Sequence, residues 1–148
     1  MFRYIISVVL FIAGISFSII ATKGDTSSIL SFINIPSFAI VGIIPFLFVS
    51  ILFGIKNTGS IFLIPFKKET DKEKLIEAIN YFKFLGKTIW LASFLLLLIS
   101  VISLLSVDDI SAYRANFAMS LLSILYAIIL NVLVIIPFFV FIKKQLKV

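Results

Sequence analysis

The sequence predicts an all-α membrane protein, with residues 1–148 forming a single four-span transmembrane domain. Of its 148 residues, 61% are hydrophobic and 14% are charged, and the mean hydropathy is +1.24. A small soluble domain leaves too much of its chain exposed to bury that much apolar surface. Four apolar runs reach the length of about 20 residues that a membrane helix needs, and none shows the strict alternation of a barrel strand. This composition excludes a soluble enzyme, a disordered tail and a secreted mini-domain.

The four predicted spans cover residues 4–22, 36–55, 88–106 and 116–142, and none of them contains Asp, Glu, Lys or Arg. A helix satisfies its own backbone hydrogen bonds, which a segment in lipid has to do. The first run also follows Arg3 as the core of a signal peptide would. Ile19 and Ala21 stand where a cleavage site needs two small residues, so a membrane span is the better interpretation.

The basic residues predict the orientation. In a four-span arrangement, 11 of the 13 Lys and Arg residues lie on one side, with Lys23 and Arg114 on the other. Including the acids, one side carries 11 − 4 = +7 and the other 2 − 3 = −1. Cytoplasmic loops are enriched in Lys and Arg, so both termini and the middle connection are predicted to be cytoplasmic.

The cytoplasmic connection, residues 56–87, is predicted to hold a short amphipathic helix at about residues 71–86. Thr70 and Glu73 have the spacing of a capping box. Five apolar residues share one face of this helix, which is expected to lie on the membrane surface and run into the third span: Leu75, Ile76, Ile79, Phe82 and Leu85. Residues 60–66 are apolar but too short to cross, and are expected at the interface.

Composition also limits the chemistry. The chain has no Cys and no His, so disulfides, zinc sites and imidazole relays are excluded, and neither an enzyme, a metal site nor a cofactor is expected. The net charge of +6 is interpreted as the excess of Lys and Arg on the cytoplasmic side of a membrane protein, and not as a nucleic-acid-binding surface. No titratable side chain lies inside a span, so the chain offers no ion carrier at mid-membrane. A small transporter or lipid-binding protein is a rival function, although broken helix pairs, which would indicate one, are not evident.

The fourth span carries a polar stripe, five residues that share one helical face: Asn116, Ser120, Ser123, Ala127 and Asn131. Small and hydroxyl residues let membrane helices approach closely and hydrogen-bond. Two interpretations remain open. The stripe is either a helix-packing seam or a wall that faces a pore or a partner helix.

The third span repeats this pattern with Ser93, Ser100 and Ser103 on one face, which we predict to face the pore or partner as well. Serines in membrane helices also bond to their own backbone, so a purely structural role is the alternative. Pro137 interrupts the hydrogen-bond ladder of the fourth span and predicts a kink or a hinge, and Pro45 does the same in the second span.

Two segments resemble the MotA family of flagellar stator subunits, in the MotA/TolQ/ExbB superfamily. Residues 118–127, Ala-Met-Ser-Leu-Leu-Ser-Ile-Leu-Tyr-Ala, are similar to the family's Ala-x-Ala-Leu-Leu-Thr-Thr-Leu-Tyr-Gly, and Pro137 follows Tyr126 by the same eleven residues. Residues 32–42, Phe-Ile-Asn-Ile-Pro-Ser-Phe-Ala-Ile-Val-Gly, resemble the family's Asp-x-Pro-Ser-x-x-Ile-Val-x-Gly. Ser123 stands where the family has Thr, and Ile124 takes the next Thr position. The middle connection has no room for the family's large cytoplasmic domain.

This resemblance implies a homo-oligomeric ring, a pentamer in the family, in the bacterial inner membrane. The ring would enclose the helices of a single-span MotB/ExbD-like partner, whose Asp binds the transported proton or sodium ion. Spans three and four would line the inside. The alternative function is a non-conducting scaffold or assembly subunit, and a polar stripe that packs only against its own neighbours would favour it.

Overall fold

The computed structural model describes residues 2–23, 32–67, 69–106 and 110–146. Within these ranges the chain is helical and contains no strand. Its main helices are α1 (Phe2–Lys23), α2 (Ile35–Phe53), α3 (Ile55–Leu63), α4 (Lys72–Leu105) and α5 (residues 110–146). The chain divides into two compact units, Met1–Ile35 and Pro36–Val148.

Three helices are long and apolar enough to cross a membrane, namely Ile35–Phe53, Lys72–Leu105 and the Ser120–Leu146 part of α5. By their length and composition they indicate a helical membrane protein. The first predicted span lies in α1, a helix of 22 residues whose described apolar stretch is the shorter Ile6–Ser18. A fourth span is therefore not established, and the four-span arrangement stays a prediction.

Helices α2 and α5 each contain one π-helical turn, at Ala39–Ile43 and Asn131–Ile135. The α-helical segments that follow begin at Ile44 and Ile136, so Pro45 and Pro137 are each the second residue of a new segment. A proline in a continuing helix lacks one N–H and its ring crowds the carbonyl group one turn earlier, and the wider π turn directly before each proline leaves room for the ring. The π turns thus let both helices continue through a proline.

Gly54 ends α2 and starts α3. Its φ of 89° lies in the left-handed region, which a residue without Cβ adopts at little cost. The Thr58 hydroxyl donates to the Gly54 carbonyl oxygen at 3.2 Å. The second span therefore ends two residues earlier than predicted, at Phe53. Helix α3, with the short 3-10 turn Ile64–Phe66, covers the segment expected at the interface.

The predicted helix at 71–86 forms the first part of α4, which continues without a break to Leu105, so the helix runs into the third span as expected. The predicted capping box is wrong by one residue. Asp71 is the N-cap, and its carboxylate accepts the N–H of Glu73 at 3.0 Å, while the N–H of Thr70 donates to Glu69. Of the predicted apolar face, Leu75, Phe82 and Leu85 are buried but Ile76 is 49% exposed.

Helix α4 runs antiparallel to α5, since Gly86 lies against Asn131 and Ser93 against Ser123. Helix α2 runs parallel to α5, since Phe38 contacts Tyr126 and Gly42 lies against Leu130. The second, third and fourth predicted spans therefore pack as one three-helix unit.

One end of this unit is held by an aromatic cluster with ring centroids 5.1–6.3 Å apart, mostly in edge-to-face pairs. Phe62 of α3 is central, and its ring meets Phe82 of α4 at 5.1 Å and Phe138 of α5 at 6.1 Å. The full cluster consists of Phe46, Phe53, Phe62, Phe66, Tyr81, Phe82, Phe84 and Phe138. It joins α2, α3, α4 and α5 at the end where α3 lies.

Gln145, near the end of α5, holds the segment that leads into α4. Its side-chain N–H groups donate to the carbonyl oxygens of Ile64 at 3.1 Å and Lys67 at 3.0 Å. Its side-chain oxygen accepts the N–H of Glu69 at 2.9 Å. One amide therefore satisfies backbone groups of three residues in the segment between α3 and α4.

Candidate functional site

The contact between α4 and α5 brings together five of the eight predicted pore-facing residues. We call this set the polar seam: Ser93 of α4, and Ser120, Ser123, Ala127 and Asn131 of α5. All five are buried within the single chain, with exposed fractions between 0 and 8%. Small side chains at these positions let the two helices approach closely, as in other membrane helix pairs.

Ser123 is the residue that links the two helices by a hydrogen bond. Its hydroxyl oxygen lies 3.2 Å from the Ser93 carbonyl oxygen on α4 and 2.7 Å from the Ser120 carbonyl oxygen on α5. The hydroxyl has one hydrogen to donate, so the two acceptors share it. Ser120 donates to the Phe117 carbonyl oxygen at 2.7 Å, within its own helix. The cross-helix bond is therefore one weak interaction, and the rest of the seam is close packing.

Ser93 faces the same contact but uses its side chain differently. Ser93 is 1% exposed, and its hydroxyl oxygen is, among the described residues, the one buried side-chain polar atom without a hydrogen-bond partner. A buried hydroxyl without a partner is unfavourable by about 1–3 kcal/mol. The seam thus contains one unused donor in its middle.

Asn131 occupies the start of the π turn in α5. Its amide N–H donates to the Ala127 carbonyl oxygen at 2.9 Å, so this polar group is also satisfied within its helix. A Cβ on Gly86 would lie 3.0 Å from the Asn131 side-chain oxygen and 3.0 Å from the Ile135 side chain. Gly86 therefore sets how near α4 comes to α5 at the π turn.

The remaining predicted site residues lie apart from the seam. Ser100 is half-buried, and Ser103 is exposed with its hydroxyl donating to the Ile99 carbonyl oxygen at 2.9 Å. Asn116 belongs to the helical backbone of α5, and its side chain lies outside the described residues. Pro137 follows the π turn, whose last hydrogen bond runs from the Ile136 N–H to the Asn131 carbonyl oxygen.

Of the two interpretations of the stripe, the geometry of the single chain favours the helix-packing seam. A side chain with no exposed surface between α4 and α5 cannot touch a central partner helix while that contact is intact. The exposed side of α5 is instead apolar and presents Phe117, Leu121 and Ile128, with Ile124 half-exposed among them. Any helix that lies against this side of α5 meets large apolar side chains.

Sequence reasoning missed the second buried polar contact, in which the Ser50 and Tyr81 hydroxyl oxygens lie 3.1 Å apart between α2 and α4. It also missed both π turns. A signal for the turns was present, because Ile-Pro-Phe occurs at residues 44–46 and 136–138, each directly after a π turn. The same triplet at residues 64–66 forms the 3-10 turn after α3.

Three surface cavities differ in their chemistry. One of about 450 Å³ has Lys67, Lys74, Glu69 and Glu77 among its lining residues, and another of about 460 Å³, between α2 and α3, is almost wholly apolar. A third, of about 290 Å³, lies between α4 and α5 with Lys83 and Lys87 on its α4 side.

Within the described residues, no group of three or more Asp, Glu, His or Cys side chains converges as metal ligands.

Comparison of the chain with protein-family models, curated proteins and solved structures found no match. The resemblance to the MotA family therefore stays a prediction, based on the two sequence segments that carry it.

Proposed function

We propose that the protein is a ring-forming membrane subunit of the MotA type, which encloses the transmembrane helix of a single-span partner in the bacterial inner membrane. In this proposal the ring, five-fold by resemblance, is the outer part of a proton- or sodium-driven motor. Four spans with both termini in the cytoplasm belong to the same proposal. The protein is not an enzyme in this scheme, and the ion binds to an Asp of the partner.

The observation that carries the proposal is the distribution of polar groups in the second, third and fourth predicted spans. Residues 36–55, 88–106 and 116–142 contain no Asp, Glu, Lys or Arg. The described seam hydroxyls and the Asn131 amide are buried inside the chain. An ion in transit would therefore need a carboxylate from another protein, which is the division of roles that the MotA resemblance implies.

The exposed surface of α5 supports an association with other helices. Phe117, Leu121 and Ile128 are exposed by 45%, 50% and 38% on one side of the helix. Spacings of four and seven residues place them in one row. Such a row packs against a neighbouring copy or a partner span through van der Waals contact.

The burial of the polar stripe favours a second candidate function, a non-conducting scaffold or assembly subunit. Ser120 and Ser123 have no exposed surface, so they are not available to a conduction path as long as α4 and α5 stay paired. In such a protein the same apolar row would organise other membrane proteins without any ion movement.

Co-expression distinguishes the two functions. The chain is produced with a single-span protein that carries an Asp in its span, sought among the products of adjacent genes, and is extracted gently. Native mass spectrometry then counts both subunits, and reconstituted vesicles report ion flux.

The expected result is a ring with the partner inside. Its ion flux should be lost when the partner's Asp is replaced by Asn. An assembly that excludes the partner and conducts no ions would support the scaffold. A monomer under these conditions would contradict both functions.

A further inference from the structure

The groove between α4 and α5 at the end opposite Ser103 combines two cations with an apolar floor. Lys83 and Lys87 stand on α4 one turn apart, and both are exposed. Ile135, Ile136 and Phe139 of α5 line the same groove of about 290 Å³, together with Trp90. We call it the lysine groove. Its described lining contains no acidic side chain.

The lysine groove lies at the depth where lipid headgroups are expected. From Thr88 to its end at Leu105, α4 runs through 18 residues without a charge. At 1.5 Å per residue this is about 27 Å, close to the roughly 30 Å hydrocarbon core of a bilayer. Lys87 therefore stands at the edge of that core and Lys83 one turn further out. Trp90, 45% exposed, lies at the level where indole rings anchor membrane helices.

The two lysines have no compensating partner in the described part of the chain, where the ion pair formed is Lys74 with Asp71. A third cation stands close by, since the Lys143 ammonium lies 5.7 Å from the centre of the Phe139 ring. The mixed-charge cavity beside α3 differs, because Glu69 and Glu77 accompany its lysines. The lysine groove is thus the cavity with an uncompensated positive rim.

We propose that the lysine groove binds an anionic phospholipid, with the phosphate between Lys83 and Lys87 and an acyl chain along Ile135, Ile136 and Phe139. Basic pockets between membrane helices at the cytoplasmic face suit such headgroups. The lysine stems lie over apolar surface while their ammonium groups reach the phosphate. The site rests on the proposed cytoplasmic placement of this end of α4 but not on the ring, because all its residues belong to one chain.

Trp90 makes the site directly observable, since it is the only tryptophan of the chain. Purified protein in detergent micelles is titrated with phosphatidylglycerol or phosphatidylcholine whose acyl chains carry bromine, a contact quencher of indole fluorescence. The expected result is that brominated phosphatidylglycerol quenches Trp90 at a lower mole fraction than brominated phosphatidylcholine.

Variants assign the preference to the two lysines. Lys83→Gln and Lys87→Gln should each weaken phosphatidylglycerol binding about five-fold, and the double variant should bind both lipids alike. The matched control is Lys56→Gln with Lys72→Gln, which removes the same charge at two exposed positions outside the groove. This control should keep the preference, and circular dichroism should show equal helix content in all variants.

Three outcomes would overturn the proposal. The first is equal quenching of the wild-type protein by the two lipids. The second is an equal loss of preference in the control pair, which would indicate a general charge effect. The third is relief of quenching by millimolar inorganic phosphate, which would assign the site to a free anion instead of a lipid.

Discussion

Asn131 of α5 and Gly86 of α4 fit together so closely that a single methyl group on Gly86 would meet the Asn131 side-chain oxygen at 3.0 Å. The contact lies at the π turn, and the Asn131 amide is already bonded to the Ala127 carbonyl oxygen of its own helix. The Asn131 side chain cannot turn away from Gly86 without losing its hydrogen bond to Ala127. The distance between the two longest helices therefore depends on the absence of a side chain at residue 86.

We predict that Gly86→Ala lowers the free energy of unfolding by about 1–3 kcal/mol through overpacking, less up to about 1 kcal/mol gained in helix propensity. Gly59→Ala is the matched control, because a Cβ at Gly59 in α3 meets nothing within 4 Å. Unfolding in mixed micelles with increasing dodecyl sulfate, followed by circular dichroism, measures both. If Gly86→Ala is as stable as Gly59→Ala, the close contact between Gly86 and Asn131 does not exist in the folded protein.

Substitution by alanine should change the free energy of unfolding differently at Ser93 and at Ser123. Ser123→Ala should cost about 0.6 kcal/mol, an average value for hydrogen bonds between membrane helices. Ser93→Ala should cost nothing or stabilise, since the Ser93 hydroxyl has no partner among the described residues. The difference in unfolding free energy between the two variants is the quantity to measure. A larger loss for Ser93→Ala would show that its hydroxyl has an important partner.

Leucine substitutions test whether the polar seam lies inside the chain. Ser123→Leu should lower stability by about 1–3 kcal/mol or prevent folding, because Ser123 is fully buried against α4. Ala118→Leu is the control, since Ala118 is exposed on the same helix. A Ser123→Leu variant that folds as well as this control, yet no longer binds a partner, would instead assign Ser123 to the partner-facing wall.

Ser50 and Tyr81 should show an energetic coupling of about 0.5–1.5 kcal/mol in a double-mutant cycle of Ser50→Ala and Tyr81→Phe. Their hydroxyl oxygens lie 3.1 Å apart in a buried contact between α2 and α4. Either single variant leaves one hydroxyl without this partner, whereas the double variant removes both. Unfolding free energies that add without coupling would show that the bond contributes nothing.

Gln145→Ala should free the segment between α3 and α4. The variant loses three hydrogen bonds to Ile64, Lys67 and Glu69, and each net bond of about 1 kcal/mol changes local opening about five-fold. Trypsin cleavage after Lys67 and hydrogen exchange of the Glu69 amide report this opening. Asn80→Ala removes an amide from an exposed position of α4 and should leave both rates unchanged.

The long apolar runs made the membrane helices predictable, because about 20 uncharged residues in succession have few other structures available. The end of α2 depends on the φ angle of Gly54, and the start of α4 depends on one hydrogen bond to the Asp71 carboxylate. The periodicity of apolar residues predicts neither of them. Four of the five residues of the predicted stripe, Ser120, Ser123, Ala127 and Asn131, are buried. Periodicity, however, does not say whether the stripe meets a neighbouring helix of the same chain or another molecule, and here Ser93 and Gly86 fill the place across from it.

The aromatic cluster has a mechanical consequence for the α4–α5 pair. Phe82 and Phe138 lie 5.4 Å apart, and both also touch Phe62, so three helices are interlocked at this end by rings that each contribute about 0.5–1.5 kcal/mol per contact. Between Ser123 and the Ser103 end of the pair, the side chains of Ser103 and Ser120 donate to carbonyl oxygens of their own helices and form no described hydrogen bond between α4 and α5. The chain itself joins the two helices at the Ser103 end, because only four residues separate Leu105 from Ile110. A force that separated the two helices would therefore meet the least resistance between these two ends, where the Ser123 hydroxyl supplies the described hydrogen bond from one helix to the other.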